Sequence, residues 1–293
     1  MKSIFTVKQR VGLLVTGILI LGNIFAWQEV FALAGPHYLK VNVLGIGQGD
    51  SIFIETPARH QIVIDGGPDS LVLGKLQQRL PFWDRSLDLV ILTHPDKDHV
   101  MGLLSVLQKY KVDYILWTGI IRNGETYQEW LKLVSETEKK GTRVIKANAG
   151  QKIVSGEVVI ETLHPLEDVA GQDFKEESND SSIFSRLVYG SRSFLFTGDA
   201  SSKVESKLIS QGIDVDSDVL KVGHHGSRFS TSDAFLQAVS PDIAVISAGK
   251  KNSYGHPTPE VLQRLEKFGI TVFRTDKDGD VEIISDGTNI NIK

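Results

Sequence analysis

Four side chains able to ligate a metal fall within six consecutive residues, His94-Pro95-Asp96-Lys97-Asp98-His99. Neutral imidazole and carboxylate are the usual ligands of zinc, manganese or iron. His94 and Asp96, two apart in a loop leaving a strand, can lean toward one point. Asp98 and His99, adjacent where a helix starts, can serve a second. A competing reading makes Asp96 and Asp98 helix caps near Val100 and His94 a polar surface residue. The H-x-D-x-D-H spacing at a strand-to-helix turn favours ligation. Further ligand-type residues occur at Asn179-Asp180, at Asp199 after Gly198, and at His224-His225 between glycines. Cations held by such groups would lower the pKa of a water and neutralise charge developing on an ester oxygen.

The flanking sequence supplies strands and helices to position these groups. Residues 89–92 form a short apolar run, a strand that Pro95 ends by fixing φ and removing a donor. Further strands are predicted at 39–44, 51–55, 61–64, 112–117, 143–146, 152–154, 158–163, 183–189, 193–197, 219–222, 243–247, 270–274, 281–285 and 288–292. Helices are predicted at 71–80, 100–110, 127–140, 233–239 and 259–268. The acidic segment 166–178 reads as a mobile loop beside the site. Glycines around Gly45 lack the spacing of a phosphate cradle and lead into a strand, which excludes nucleotide binding there. Asp50 and Asp65 end strands, where they either orient ligands or form turns. If the strands lie in two facing sheets with their tips at one edge, all the ligand-type residues meet in one cluster.

The 293 residues carry a formal net charge of −4 and no cysteine. That balance gives no global attraction for a polyanion, so metals and local cations must supply it. The absence of cysteine excludes thiolate sites, a cysteine nucleophile and disulfides. At the N-terminus Lys2, Lys8 and Arg10 precede an uncharged run, 11–27, that ends before Glu29. As a helix this run spans roughly 25 Å, a little short of the ~30 Å hydrocarbon core, but an untilted membrane crossing with Trp27 at the interface is feasible. A signal cleaved after Ala32-Leu33-Ala34 is the alternative. Residues 1–34 are therefore expected to be an anchor or signal, and 35–293 one domain outside the cytoplasm.

Thr93-His94-Pro95-Asp96-Lys97-Asp98-His99 resembles the HxHxDH motif of the metallo-β-lactamase superfamily, with Asp96 in place of the second histidine. Together with GQGDS at 47–51, FTGDA at 196–200, HHGS at 224–227 and YGHP at 254–257, it resembles the extracytoplasmic domain of ComEC competence proteins. The resemblance covers about residues 38–285 and implies an α/β fold, a four-layer αββα sandwich, preceded here by one apolar helix. It implies two divalent ions, manganese or zinc. His94 and Asp96 would bind one. Asp98, His99 and a histidine of the 224–225 pair, with His224 preferred, would bind the other, and Asp199 would bridge them. Asp180 stands where the superfamily has a histidine before the hairpin; His164 lies too far back for assignment. With a single apolar segment, this chain is not expected to carry DNA through a membrane by itself.

The expected function is metal-dependent hydrolysis, with a DNA phosphodiester as substrate by that resemblance. Asp98 and Asp199 would shape the centre, and Asp199 would accept a proton from the nucleophile. His225 or His256 would protonate the leaving oxygen. Ser227, Arg228 and Lys250 would hold substrate phosphates. Hydrolysis of another ester, a lactam or a cell-envelope substrate is the rival reaction, and non-catalytic DNA binding the rival class.

Overall fold

The computed structural model describes residues 6–34, 37–174 and 178–293, and of residues 28–34 only the helical backbone. Lys2, Gly35 and residues 175–177 of the acidic loop lie outside the described residues. The chain divides into two compact units, 1–37 and 38–293. Within the first, the described residues hold one helix, α1 (Val7–Ala34). Its stretch Val7–Trp27 has a mean hydropathy of 1.7, so this helix is long and apolar enough to cross a membrane.

The second unit opens with β1 (Leu39–Val43), β2 (Ile52–Glu55), β3 (Gln61–Ile64), α2 (Leu71–Gln77), β4 (Ser86–Leu92), α3 (Lys97–Lys109), β5 (Lys111–Trp117), α4 (Glu125–Lys139) and β6 (Arg143–Lys146). It continues with β7 (Lys152–Ser155), β8 (Val158–His164), β9 (Phe184–Tyr189), β10 (Arg192–Phe196), α5 (Ser202–Ser210), β11 (Val219–Lys221), α6 (Asp233–Val239), β12 (Ile243–Ile246) and α7 (Pro259–Lys267). It closes with β13 (Thr271–Arg274), α8 (Thr275–Asp278), β14 (Val281–Ser285) and β15 (Ile290–Ile292).

The strands form two sheets, ordered β15-β14-β1-β2-β3-β4-β5-β6 and β13-β12-β11-β10-β9-β8-β7. Apolar residues facing between them, including Val41, Ile54, Ile91, Leu187, Phe194 and Val245, form a central core. The outer face of the first sheet packs on α2, α3 and α4 through Val90, Leu103, Trp117 and the fully buried Trp130. The outer face of the second packs on α5, α6 and α7 through Leu220, Leu208, Phe235 and Leu265. This is the expected αββα sandwich, with three buried apolar layers between four layers of structure.

Both sheets are mixed, and their parallel halves create the working edge. β3, β4, β5 and β6 run parallel, as do β10, β11, β12 and β13. In register, Ile64 pairs with Ile91, and Phe196 pairs with Lys221. The residues that follow β3, β4, β10, β11 and β12 therefore emerge at neighbouring carboxyl ends, where open parallel sheets place ligands.

Among the differences from the sequence reading, three lie close to the site. β4 starts at Ser86, because the parallel ladder with β5 runs from Ser86–Lys111 onward regardless of the polar residues there. α3 begins at Lys97, not Val100, so Asp98 and His99 lie on the first helical turn. α5 was not expected, since Gly198-Asp199-Ala200 read only as a strand end. Its signals were Ser201, whose hydroxyl accepts from Lys203 N at 3.3 Å, and Val204 with Leu208 one turn apart.

Candidate metal centre

The turn after β3 and the start of α3 are clasped backbone to backbone. Asp65 N donates to Ile91 O at 2.9 Å, Gly66 N to His99 O at 2.7 Å, and Gly102 N to Gly67 O at 3.0 Å. A Cβ on Gly102 would lie 1.9 Å from Gly66 O, so only glycine lets the helix approach this closely. Gly49, at φ +133°, presses on the same turn from the other side; a Cβ there would meet Asp98 O at 2.2 Å. The glycines of GQGD and DGG thus seat the metal-ligand turn. They cradle no phosphate.

On this seat the imidazoles are oriented from behind. His99 Nδ1 bonds Asp65 Oδ2 at 2.8 Å, and Thr93 Oγ1 donates to the same oxygen at 2.6 Å. His225 Nδ1 donates to Ser247 O at 3.0 Å and lies 3.3 Å from Asp50 Oδ1. His94 Nδ1 has Thr93 Oγ1 at 3.1 Å and Ser182 Oγ at 3.3 Å. With Nδ1 engaged, each ring turns Nε2 to the centre, the arrangement that outer hydrogen bonds impose on metal-ligating histidines. Ring centroids of His94 and His99 are 4.2 Å apart, and those of His99 and His225 5.5 Å.

Between the rings lies Asp199, delivered by the turn after β10 and held by Asp199 N donating to Ser182 Oγ at 3.1 Å. Its Oδ2 is 3.3 Å from His99 Nε2 and 3.1 Å from His225 Nε2. Asp98 Oδ2 stands 3.4 Å from His225 Nε2. Asp98, His99, Asp199 and His225 form one group whose ligand atoms lie within 4.8 Å of one another. His94 Nε2, His99 Nε2, His225 Nε2 and Asp199 Oδ1 are buried without an aligned hydrogen-bond partner. The orphaned atoms of His99, His225 and Asp199 lie in that close group and fit a divalent cation, which would satisfy them together, while His94 Nε2 is orphaned outside it.

The electrostatics carry the same imprint. Burial opposes charge at Asp199, yet the His225 and His99 imidazoles hold its pKa well below the ordinary carboxylate value. Burial also disfavours imidazolium at His99 and His225. The Asp199 carboxylate, joined by Asp65 at His99 and by Asp50 at His225, nevertheless holds both well above the usual histidine value. Burial and the neighbouring His99 lower His94. The shifts at His99 and His225 favour imidazolium beside the Asp199 carboxylate.

The structure brings His94, Asp98, His99, Asp199 and His225 together. It places His225, not His224, inside. His224 is half-buried at the mouth, its Nε2 3.9 Å from Asp199 Oδ2 and 3.4 Å from Asn179 Nδ2. Both residues sit in the left-handed region, at φ 47° and 55°, as does Asp65 at 58°. Such strain collects where surrounding contacts fix a functional geometry, and it turns the two imidazoles to different sides. Asp96 lies beside His94 but outside the four-residue group, bonded through Oδ1 to Ser178 Oγ at 2.7 Å. Asp180 accepts from Ser201 N at 3.1 Å, and with His164 lines a separate surface cleft. His256 stands against His224, ring centroids 5.5 Å apart, with the exposed Tyr254 stacked on it. Burial, with His224 and His225 nearby, lowers the His256 pKa to about 4.

Of the expected phosphate contacts, the Ser227 hydroxyl is buried and accepts from Phe229 N at 3.4 Å. Arg228 lies exposed over the Phe229 ring, and Lys250 is exposed. Sequence reasoning passed over Lys221, whose ammonium is buried 2.6 Å from Asp50 Oδ2. A lysine inside the apolar run Val219-Leu220-Lys221-Val222 was the signal, because a buried lysine requires a partner. Ser182 and Ser247 carried no such mark.

The metallo-β-lactamase superfamily profile matches residues 44–250. Among curated proteins, the chain is 32% identical over 262 residues to ComE operon protein 3 of Bacillus subtilis, covering 83% of this chain and 32% of that protein. It is 34% identical over 240 residues to competence protein ComA of Neisseria gonorrhoeae, covering 82% and 31%. The chain thus spans about a third of the length of these relatives. Among solved structures it resembles the metallo-β-lactamase fold protein YhfI from Bacillus subtilis, at a TM-score of 0.55 and 16% identity over 84% of this chain and 99% of that one. The metallo hydrolase Igni18 from Ignicoccus hospitalis gives a TM-score of 0.52 at 15% identity, covering 83% and 98%.

Proposed function

Since this chain belongs to the metallo-β-lactamase superfamily, we propose that it is a binuclear metal-dependent phosphodiesterase that cleaves DNA outside the cytoplasm, held at the membrane by α1. The observation that carries the reading is the set of buried, unpartnered atoms His94 Nε2, His99 Nε2, His225 Nε2 and Asp199 Oδ1. Asp98, His99, Asp199 and His225 would hold one cation, and His94 with Asp96 the other, Asp199 being shared. Manganese suits the oxygen-rich half and zinc the imidazole-rich half. When bound, divalent cations supply Lewis acidity and a nucleophile available at neutral pH.

The remaining chemistry belongs to the chain. Asp65, Ser247 and Ser182 fix the rings, so no reorganisation is needed as charge develops. His256, held neutral at physiological pH by its low pKa, packs against His224. His224, half-buried with its Nε2 3.9 Å from Asp199 Oδ2, is the histidine of the pair left to serve the leaving oxygen. The exposed Arg228 and Lys250 add local positive charge to a chain of net −4. DNA as substrate is supported by the competence relatives, and α1 supports membrane attachment.

The test is digestion of single- and double-stranded DNA with Mn²⁺, Zn²⁺ or chelator. Metal-dependent cleavage is expected. Intact DNA alongside turnover of a small ester or lactam would leave the hydrolase and remove the nuclease.

A further inference from the structure

Asp96 occupies the N-cap position of α3 with an extended backbone, yet its side chain makes no capping bond. The carboxylate is committed elsewhere. Its Oδ1 accepts from Ser178 Oγ at 2.7 Å and lies 3.1 Å from Arg122 Nη2. Arg122 is placed by backbone, because the preceding residue, Ile121, donates its N–H to Gln172 O at 2.8 Å. Among the described residues, the ligand groups whose atoms lie within 4.8 Å of one another are Asp98–His99–Asp199–His225 and Asp50–Asp65–His99. Neither includes His94 or Asp96. One half of the centre is assembled; the other has a ready imidazole and a carboxylate already paired to a cation.

We propose that Arg122 is a built-in counter-ion of Asp96 that divides the centre into a tight metal position and a weak one. The proposal deepens the metal-centre reading above and rests on it. A guanidinium remains charged at any accessible pH, so Arg122 cannot yield Asp96 by losing a proton. A divalent ion arriving at His94 and Asp96 must share the carboxylate with that charge and settle close to it. Partial exposure of both side chains, 29% for Arg122 and 27% for Asp96, weakens this repulsion without abolishing it. The ion among Asp98, His99, Asp199 and His225 meets no such competitor in its own ligand set.

The test is Mn²⁺ titration of the full chain in detergent, with free ion followed by electron paramagnetic resonance and binding by calorimetry. Wild-type protein is expected to bind two ions with dissociation constants at least about tenfold apart. Arg122→Gln should tighten the weaker site about fivefold or more and leave the tighter one unchanged. Arg122→Lys, which keeps the charge, should leave the weak site weak. Asp96→Asn should remove the weak site alone. An Arg122→Gln protein, folded by circular dichroism, whose second ion binds unchanged or more weakly overturns the proposal: Arg122 would then steady Asp96 as a ligand. Equal constants in wild type overturn it as well while sparing the metal centre. Failure of wild type to bind any ion removes both.

Discussion

Lys221 and Asp50 form an ion pair of 2.6 Å that is almost wholly removed from solvent, directly behind His225. Asp50 comes from the loop between β1 and β2 and Lys221 from the end of β11, so the pair ties the two sheets beneath the centre. Lys221 Nζ also donates to Val222 O at 2.9 Å. Burial works against the Asp50 carboxylate, but Lys221 and His225 hold its pKa below the ordinary value.

Removing the ammonium leaves that carboxylate buried beside an oriented imidazole. Lys221→Met should cost about 3–5 kcal/mol in chemical denaturation, the range for breaking a buried pair from one side. Metal affinity should fall by about 10–100-fold as His225 loses its support. Adding Asp50→Asn to Lys221→Met should recover part of the stability, because the uncompensated charge is gone. A single variant as stable as wild type would contradict the account of this pair.

The raised His99 and His225 pKa values set a pH dependence whose sign differs between the metal-free and metal-bound protein. Without metal, the folded pKa values exceed the unfolded value of 6.5. Their stabilising contribution is complete below that value and is lost as pH rises through the folded values. Metal must displace the protons, so its affinity rises with pH over the same window. Calorimetry at pH 7 in buffers of different ionisation enthalpy should show proton release on metal binding. Binding without proton release would contradict the carboxylate–imidazolium pairs.

The Gly66–Gly102 contact predicts a packing effect with a functional readout. A Cβ on residue 102 would sit 1.9 Å from Gly66 O, and backbone cannot rotate away as a side chain can. Gly102→Ala should destabilise by about 1–3 kcal/mol. It should also displace the first turn of α3, lowering metal content measured by elemental analysis. Gly74→Ala, where a Cβ meets nothing, serves as the control.

α1 predicts location. The chain should fractionate with membranes, and protease added outside intact cells should reach the domain from Tyr38 onward. A mature protein beginning at Gly35 and free in the external fraction would show instead that Ala32-Leu33-Ala34 is cleaved.

Much of this architecture was legible because the signals were local. Apolar runs of three or four residues, closed within three positions by glycine, proline or aspartate, marked β3, β4 and β10, and ligand-type residues follow them. What stayed hidden depended on tertiary contact. Which of His224 and His225 turns inward is decided by left-handed backbone and by Ser247 O, just past β12 and more than twenty residues away. Asp96 reads as a ligand or a cap, and only the approach of Ser178 and Arg122 reveals a third use. α5 was missed because its polar residues masked a short apolar stripe. Its buried Glu205 makes sense only against the Thr231 and Ser232 amides it accepts from.

The central claim is that the cluster around Asp199 performs metal-dependent cleavage of DNA. It is tested most directly by following a labelled DNA with wild type and Asp199→Ala, each purified metal-free and reloaded with Mn²⁺ or Zn²⁺. Wild type should cleave only when loaded and stop with chelator. Asp199→Ala should lose at least about a hundredfold in rate, since one change removes a carboxylate shared by the ligand set and its buried charge. Loaded wild-type protein that leaves DNA intact, or an Asp199→Ala protein that cleaves it at the wild-type rate, would contradict the account.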